Sequence, residues 1–128
     1  MLNSNPMAKL SRNALGRWGE SVAADYLTKL GYEIVERNMR TTYGEIDLVT
    51  RLNGVTIFVE VKTRANTHFG NPEESITTTK RQHLIEASQT ILQKHPELDG
   101  DWRIDVIAIQ KLTSADKPLI EHFENAVN

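Results

Sequence analysis

Asp47, Glu60 and Lys62 fall within one stretch, GEIDLVTRLNGVTIFVEVKTR, which runs from Gly44 to Arg64. Two carboxylates can chelate a hard divalent ion such as Mg²⁺ or Mn²⁺. A lysine two positions after the second one adds a cationic amine on the same side of an extended chain. Phosphodiester hydrolysis draws on this set: an ion to polarise the phosphate and acidify a water, and a cation near the attacking water or the developing charge. An acidic residue followed at a distance by Glu-x-Lys is a weak string by itself. The elements that carry it decide what it means.

The stretch reads as two strands joined at Asn53-Gly54. Asn-Gly between apolar, β-rich runs is the strongest short-range hairpin signal, because a type I′ turn needs positive φ at both central positions. A two-residue loop sets Leu52 opposite Val55. Counting back places Asp47 opposite Glu60 and Glu45 opposite Lys62. Facing carboxylates repel across a ladder unless a proton or a cation sits between them. In the second strand Ile57, Val59 and Val61 share one face, and Phe58, Glu60 and Lys62 share the other. Both faces are therefore partly covered, and charges on a covered face are costly unless paired or metal-bound.

Around the hairpin, the spacing predicts a helix from Asn13 to Leu30, capped by Ser11 or Asn13 and stopped by Gly31. Glu20 falls at the rim of its apolar stripe, where a carboxylate can reach the end of a sheet that the helix covers. Tyr32 to Asn38 alternates like a first strand. Residues 65 to 75 form a loop in which His68 and Phe69 are candidate substrate contacts. Thr79-x-x-Gln82 matches a capping box for a helix from Lys80 to Lys94. Lys80 and Arg81 then sit in its first turn, the unfavourable end for cations, which makes sense if an anion such as a phosphate docks there. Trp102 to Ile109 is a strand with Arg103, Asp105, Ile107 and Ile109 on one side, and Leu119 to Phe123 is a short edge strand. The order α-β-β-β-α-β, with that further edge strand, implies an α/β fold with a mixed sheet flanked by helices.

With 128 residues the chain supports one domain, assigned to residues 11–128, after an N-terminal arm over residues 1–10. No apolar run approaches the roughly 20 residues of a membrane span, so a cytoplasmic protein is expected. Cysteine is absent, which removes disulfides, thiolate zinc sites and a cysteine nucleophile. No Walker loop, GxGxxG or serine elbow occurs, so no nucleotide cofactor is expected. The net charge is −2, yet cations are grouped, as at Arg37/Arg40, Lys62/Arg64 and Lys80/Arg81. A basic face on a near-neutral chain and scattered surface charge both fit this pattern.

These motifs resemble the PD-(D/E)xK nuclease superfamily, with Asp47 as first acid, Glu60 as second and Lys62 as the lysine. The chain resembles more closely the YraN family of predicted endonucleases, related to archaeal Holliday-junction resolvases. The likeness rests on Gly16-x-x-Gly19-Glu20-x-x-Ala23, Tyr26-Leu27, Gly31-Tyr32, Arg37-Asn38-x-Arg40, Gly44-Glu45-Ile46-Asp47-Leu48, Phe58-Val59-Glu60-Val61-Lys62-Thr63-Arg64, Phe69-Gly70-x-Pro72, Lys80-x-x-x-Leu84 and Arg103-x-Asp105-Val106. Glu-Ile-Asp lacks the proline of the superfamily's nominal signature and agrees with the YraN pattern.

The resemblance implies a restriction-endonuclease-like core and adds Glu20 to the metal site. The resulting expectation is Mg²⁺ or Mn²⁺ on Asp47, Glu60 and Glu20, with the Val61 carbonyl, and Lys62 beside the water that attacks a DNA phosphorus. Arg40, Arg64, Lys80 and Arg81 are candidate phosphate contacts. Glu45 is an auxiliary candidate that can pair with Lys62 or Arg64 or bind a second ion. Branched DNA is the implied substrate, and symmetric junctions would favour a homodimer. The competing class is a non-catalytic nucleic-acid-binding module on the same fold. A purely structural domain would leave Glu20, Asp47 and Glu60 pointing apart.

Overall fold

A computed structural model describes residues 11–65, 76–111 and 117–127. The expected arm over residues 1–10 and the candidate contacts His68 and Phe69 lie outside them.

The first helix, α1 (Arg12–Lys29), starts where Ser11 accepts a hydrogen bond from the Ala14 amide on its side-chain oxygen. It ends at Gly31, whose φ of 94° suits a residue without a side chain. Three antiparallel strands follow: β1 (Glu33–Thr41), β2 (Gly44–Leu52) and β3 (Val55–Arg64). The β2–β3 turn is the anticipated one, with Leu52 opposite Val55 and positive φ at Asn53 (51°) and Gly54 (82°). β1 runs three residues beyond the expected Asn38, because Met39, Arg40 and Thr41 keep pairing with Ile46, Glu45 and Gly44.

The second helix, α2 (Thr78–Lys94), begins two residues earlier than its capping-box reading. Thr77, not Thr79, is the cap, and its hydroxyl accepts the Lys80 amide at 3.1 Å. A short 3₁₀ turn over Pro96–Leu98 leads into β4 (Trp102–Gln110), and β5 (Leu119–Phe123) closes the sheet. The strand order is β1-β2-β3-β4-β5. Only β3 and β4 are parallel, since a parallel pair needs a crossover and α2 lies on it.

The helices cover opposite faces. Ala23 and Leu27 of α1 pack with Leu48, Ile57, Val59, Ile107 and Ile109. Leu84, Ala87 and Ile91 of α2 pack with Ile46, Val49, Phe58, Ile104 and Val106. The alternation predicted for β3 therefore holds, with odd positions toward α1 and even positions toward α2. In β2 it slips at one place: Ile46 and Val49 share the α2 side although they are three positions apart, and Leu48 lies on the α1 side. Asp47 stands at that slip. Helix–sheet–helix layering with this element order is the restriction-endonuclease-like arrangement. No helix of the described residues is long and apolar enough to cross a membrane.

Candidate metal centre

The β2–β3 pairing runs from Leu52↔Val55 to Leu48↔Val59. The next step would set Asp47 against Glu60, and it lies past the paired register. There the Asp47 side chain takes part in place of a regular rung. The Val61 N–H donates to Asp47 Oδ2 at 2.8 Å. This contact draws the carboxylate across the end of the hairpin and up to Glu60.

Two acids so placed cannot both ionise cheaply. The Asp47 carboxyl is pushed up to about 8, first by burial and then by the charge of Glu60. The Val61 amide opposes the shift. The charge of Glu20 and a hydrogen bond with Glu60 add to it. The charge of Glu20 is therefore felt at Asp47 although its side chain is held at Asn38.

Glu60 leaves β3 on the α2 side and is 6% exposed. Its counter-charge comes from α2: Lys80 Nζ lies 3.5 Å from Glu60 Oε2. The cation in the first turn of α2 thus meets a carboxylate of the sheet. Lys62, half-buried, follows two residues on along the same strand.

Glu20 comes from the other face. At the adjacent position α1 presses against β3 so closely that a Cβ at Gly19 would overlap the Thr63 side chain. Only glycine permits that approach. Glu20 then hangs over the sheet edge, where Asn38 Nδ2 donates to Glu20 Oε1 at 3.0 Å and to Glu45 Oε1 at 3.3 Å. Asn38 sits at φ 55°, a left-handed conformation that asparagine tolerates better than most residues. Glu45 meets Arg40 across the β1–β2 ladder, Nε to Oε2 at 3.5 Å. The sequence offered Lys62 or Arg64 as its partner, because it counted along β3 and not along β1. An open groove of about 450 Å³ is lined by Gly16, Arg17, Glu20, Asn38, Arg40 and Glu45.

Of the remaining candidates, Arg64 is half-buried at the end of β3. Arg81 donates to the Ala126 carbonyl at 3.0 Å. Asn38 escaped the sequence reading as a functional residue. Its signal was its place in the Arg37-Asn38-x-Arg40 motif, which entered only as part of the family resemblance.

The donor set suits a hard cation in part. Asp47 and Glu60 offer adjacent carboxylate oxygens, and Mg²⁺ commonly takes one or two carboxylates and completes its shell with water and phosphate oxygens. Among the described residues, no group of three His, Asp or Glu side chains is disposed to hold a metal ion. Glu20 faces Asn38, and α1 lies across the sheet from Glu60.

Residues 19–109, from Gly19 through β4, match the model of the uncharacterised protein family UPF0102. The chain belongs to UPF0102. A UPF0102 protein of Syntrophomonas wolfei is 46% identical over 112 residues, covering 88% of this chain and 96% of the relative. One from Geobacter metallireducens is 44% identical over 117 residues, covering 91% and 94%. One from Leifsonia xyli is 43% identical over 121 residues, covering 94% and 100%. Among solved structures, Pyrococcus furiosus SfsA in complex with Ca²⁺ is similar at a TM-score of 0.40 and 15% identity, over 88% of this chain and 63% of that one. The UPF0102 match begins at the glycine that seats α1 on β3 and contains Glu20, Glu45, Asp47, Glu60, Lys62 and Lys80.

Proposed function

We propose that this UPF0102 chain is a divalent-metal-dependent endodeoxyribonuclease that hydrolyses phosphodiester bonds in branched or structured DNA. One observation carries the reading: the Asp47 carboxylate, held by the Val61 amide, is brought up to Glu60 at the end of the β2–β3 hairpin, on the strand that carries Lys62 two residues on. The restriction-endonuclease-like fold and the resemblance to PD-(D/E)xK enzymes and Holliday-junction resolvases support the chemistry and the substrate class.

Asp47 and Glu60 would hold Mg²⁺ or Mn²⁺, which when bound supplies Lewis acidity to the phosphate and to a water. The Val61 amide holds the Asp47 carboxylate at the end of the hairpin, where with Glu60 it would serve as a ligand. Lys62 orients the attacking water and offsets charge building on the phosphoryl oxygens. The water oxygen forms a bond to phosphorus as the opposite P–O bond breaks. The water gives up a proton, and the leaving oxygen takes one. Glu20, kept at the rim by Asn38, adds negative charge to the metal side. Arg40 on the groove wall positions the DNA backbone without reading bases. Two cuts in a symmetric junction would need two such sites, which calls for a homodimer.

The absence of a three-ligand group among the described residues favours one second reading, a nucleic-acid-binding module without turnover. A cleavage panel of flap, junction and single-stranded DNA separates the two. The nuclease cuts at least one substrate with Mg²⁺ or Mn²⁺ and none with EDTA, and it loses that activity in Asp47→Ala and Lys62→Ala. The binding module binds DNA without metal and cuts nothing.

A further inference from the structure

Lys80 is the one site cation whose position carries a cost on two counts. It stands in the first turn of α2, which contains no acidic residue to offset the positive end of the helix. Its ammonium also gives up water to approach a carboxylate that is only 7% exposed. The Thr77 cap fixes its main chain, since the Lys80 amide donates to the Thr77 hydroxyl. The side chain beyond remains 40% exposed, so the ammonium has a short path back to water. Lysine suits this reversible arrangement, because its charge ends a flexible four-carbon stem and makes no fixed fork with the carboxylate.

Glu60 is also one of the two oxygen donors proposed for the metal. An ammonium at 3.5 Å and a divalent ion on the same carboxylate would repel each other strongly in a site shielded from water. The two cations are therefore alternatives.

We propose that Lys80 is the resident counter-cation of the site, and that a divalent ion binds by exchange, expelling the Lys80 ammonium from Glu60 into solvent. The inference rests on the reading of Asp47 and Glu60 as metal ligands. It adds that the chain's own lysine competes with the metal and sets the affinity with which it binds. Without Lys80 the site would carry uncompensated negative charge at Glu60 and would take up a divalent ion more readily. Lys62 keeps the separate part proposed for it at the phosphate.

The test is direct binding of Mn²⁺ to the full chain, by calorimetry or by the electron paramagnetic resonance signal of the free ion. Wild type is compared with Lys80→Gln, Lys80→Met and Lys80→Arg. Exchange predicts that Gln and Met, which remove the charge, tighten Mn²⁺ binding by roughly fivefold or more. Arg keeps the charge and should stay near wild type. Met retains the packing of the stem, so agreement between Gln and Met assigns the effect to charge. Mn²⁺ affinity that is unchanged or weaker in both neutral variants overturns the exchange and leaves the metal reading standing. Failure of wild type and both neutral variants to bind Mn²⁺ overturns the metal reading and the exchange with it.

Discussion

At the scale of single residues, Asp47 makes the sharpest prediction, because its environment favours a proton. Its folded-state value, about 8, lies above the ordinary 3.8 of the unfolded chain. Folded protein without metal therefore keeps a proton that unfolded protein releases. The stabilisation from this group is complete below about pH 4 and is lost as the pH rises toward 8. Asp47→Asn mimics the protonated acid and should lack that loss. In EDTA the variant should be more stable than wild type by on the order of 2 kcal/mol at pH 8 and nearly equal to it at pH 4. Thermal melts of both proteins across this range measure the difference. A gap that does not grow with pH would show that Asp47 is not held in its neutral form.

Asp47 and Glu60 were legible as neighbours because an Asn-Gly turn fixes the hairpin register up to Leu48 and Val59, one step short of them, whereas the Val61–Asp47 hydrogen bond that replaces the next rung was not. The partners of Lys80 and Glu45 were not legible. The Lys80–Glu60 contact spans twenty positions and depends on how a crossover helix lands on the sheet. The only hint was a cation at the unfavourable end of that helix. Glu45 turned to β1 because the strand pairing continues through Arg40, in a run where no apolar alternation announces a strand.

At the scale of elements, the seating of α1 on β3 sets where Glu20 stands at the rim of the sheet. Gly19 is a point of close approach, and a side chain there meets Thr63. Gly19→Ala should force the helix away from the strand and cost about 1–3 kcal/mol in stability, as overpacked sites do. DNA cleavage should fall with it, because Glu20 moves with the helix. Removing the obstruction in Gly19→Ala/Thr63→Gly should restore part of both. Denaturant melts and cleavage rates for the single and double variants check this coupling. The apolar stripe of α1 was plain in the sequence. The role of Gly19 was not, since a glycine within a helix looks only like a weak helix former until the opposing strand is known.

At the scale of the whole molecule, a second polar assembly locks the far side of the sheet. Asp105 is fully buried on β4, yet it lies below the usual carboxylate range. Burial opposes ionisation there, but hydrogen bonds from His122, Arg103 and the Asn125 amide outweigh it. The distances are 2.8 Å to His122 Nε2, 2.9 Å to Arg103 Nε and 2.9 Å to the Asn125 nitrogen. Arg103 also reaches Tyr32 at the end of α1, and His122 is hydrogen-bonded to Tyr26. One carboxylate thereby ties α1, β4, β5 and the segment after β5. Sequence alternation had placed Arg103 and Asp105 on the same face as Ile107 and Ile109, a costly position for charge. The compensation comes from residues that only tertiary packing supplies.

Asp105→Asn should destabilise the protein by about 2–3 kcal/mol near neutral pH by weakening a buried ion pair. Because the folded-state value is depressed, this contribution is present above the ordinary carboxylate pKa and disappears as acid protonates Asp105. The gap between wild type and variant should therefore narrow below about pH 4, and denaturant melts at neutral and acid pH measure it. Metal-dependent cleavage should survive in the variant at a temperature where it is folded, since Asp105 lies apart from the Asp47–Glu60 pair.

The claim that joins these scales is that Asp47 and Glu60 form a metal-dependent centre for phosphodiester hydrolysis. Its most direct test is cleavage of the structured-DNA panel with Mn²⁺ by wild type and Asp47→Ala, with folding of each verified by circular dichroism. The predicted result is cleavage of at least one substrate by wild type, abolished by EDTA and by the substitution. Folded wild type that cuts no member of the panel, or an Asp47→Ala variant as active as wild type, would contradict it.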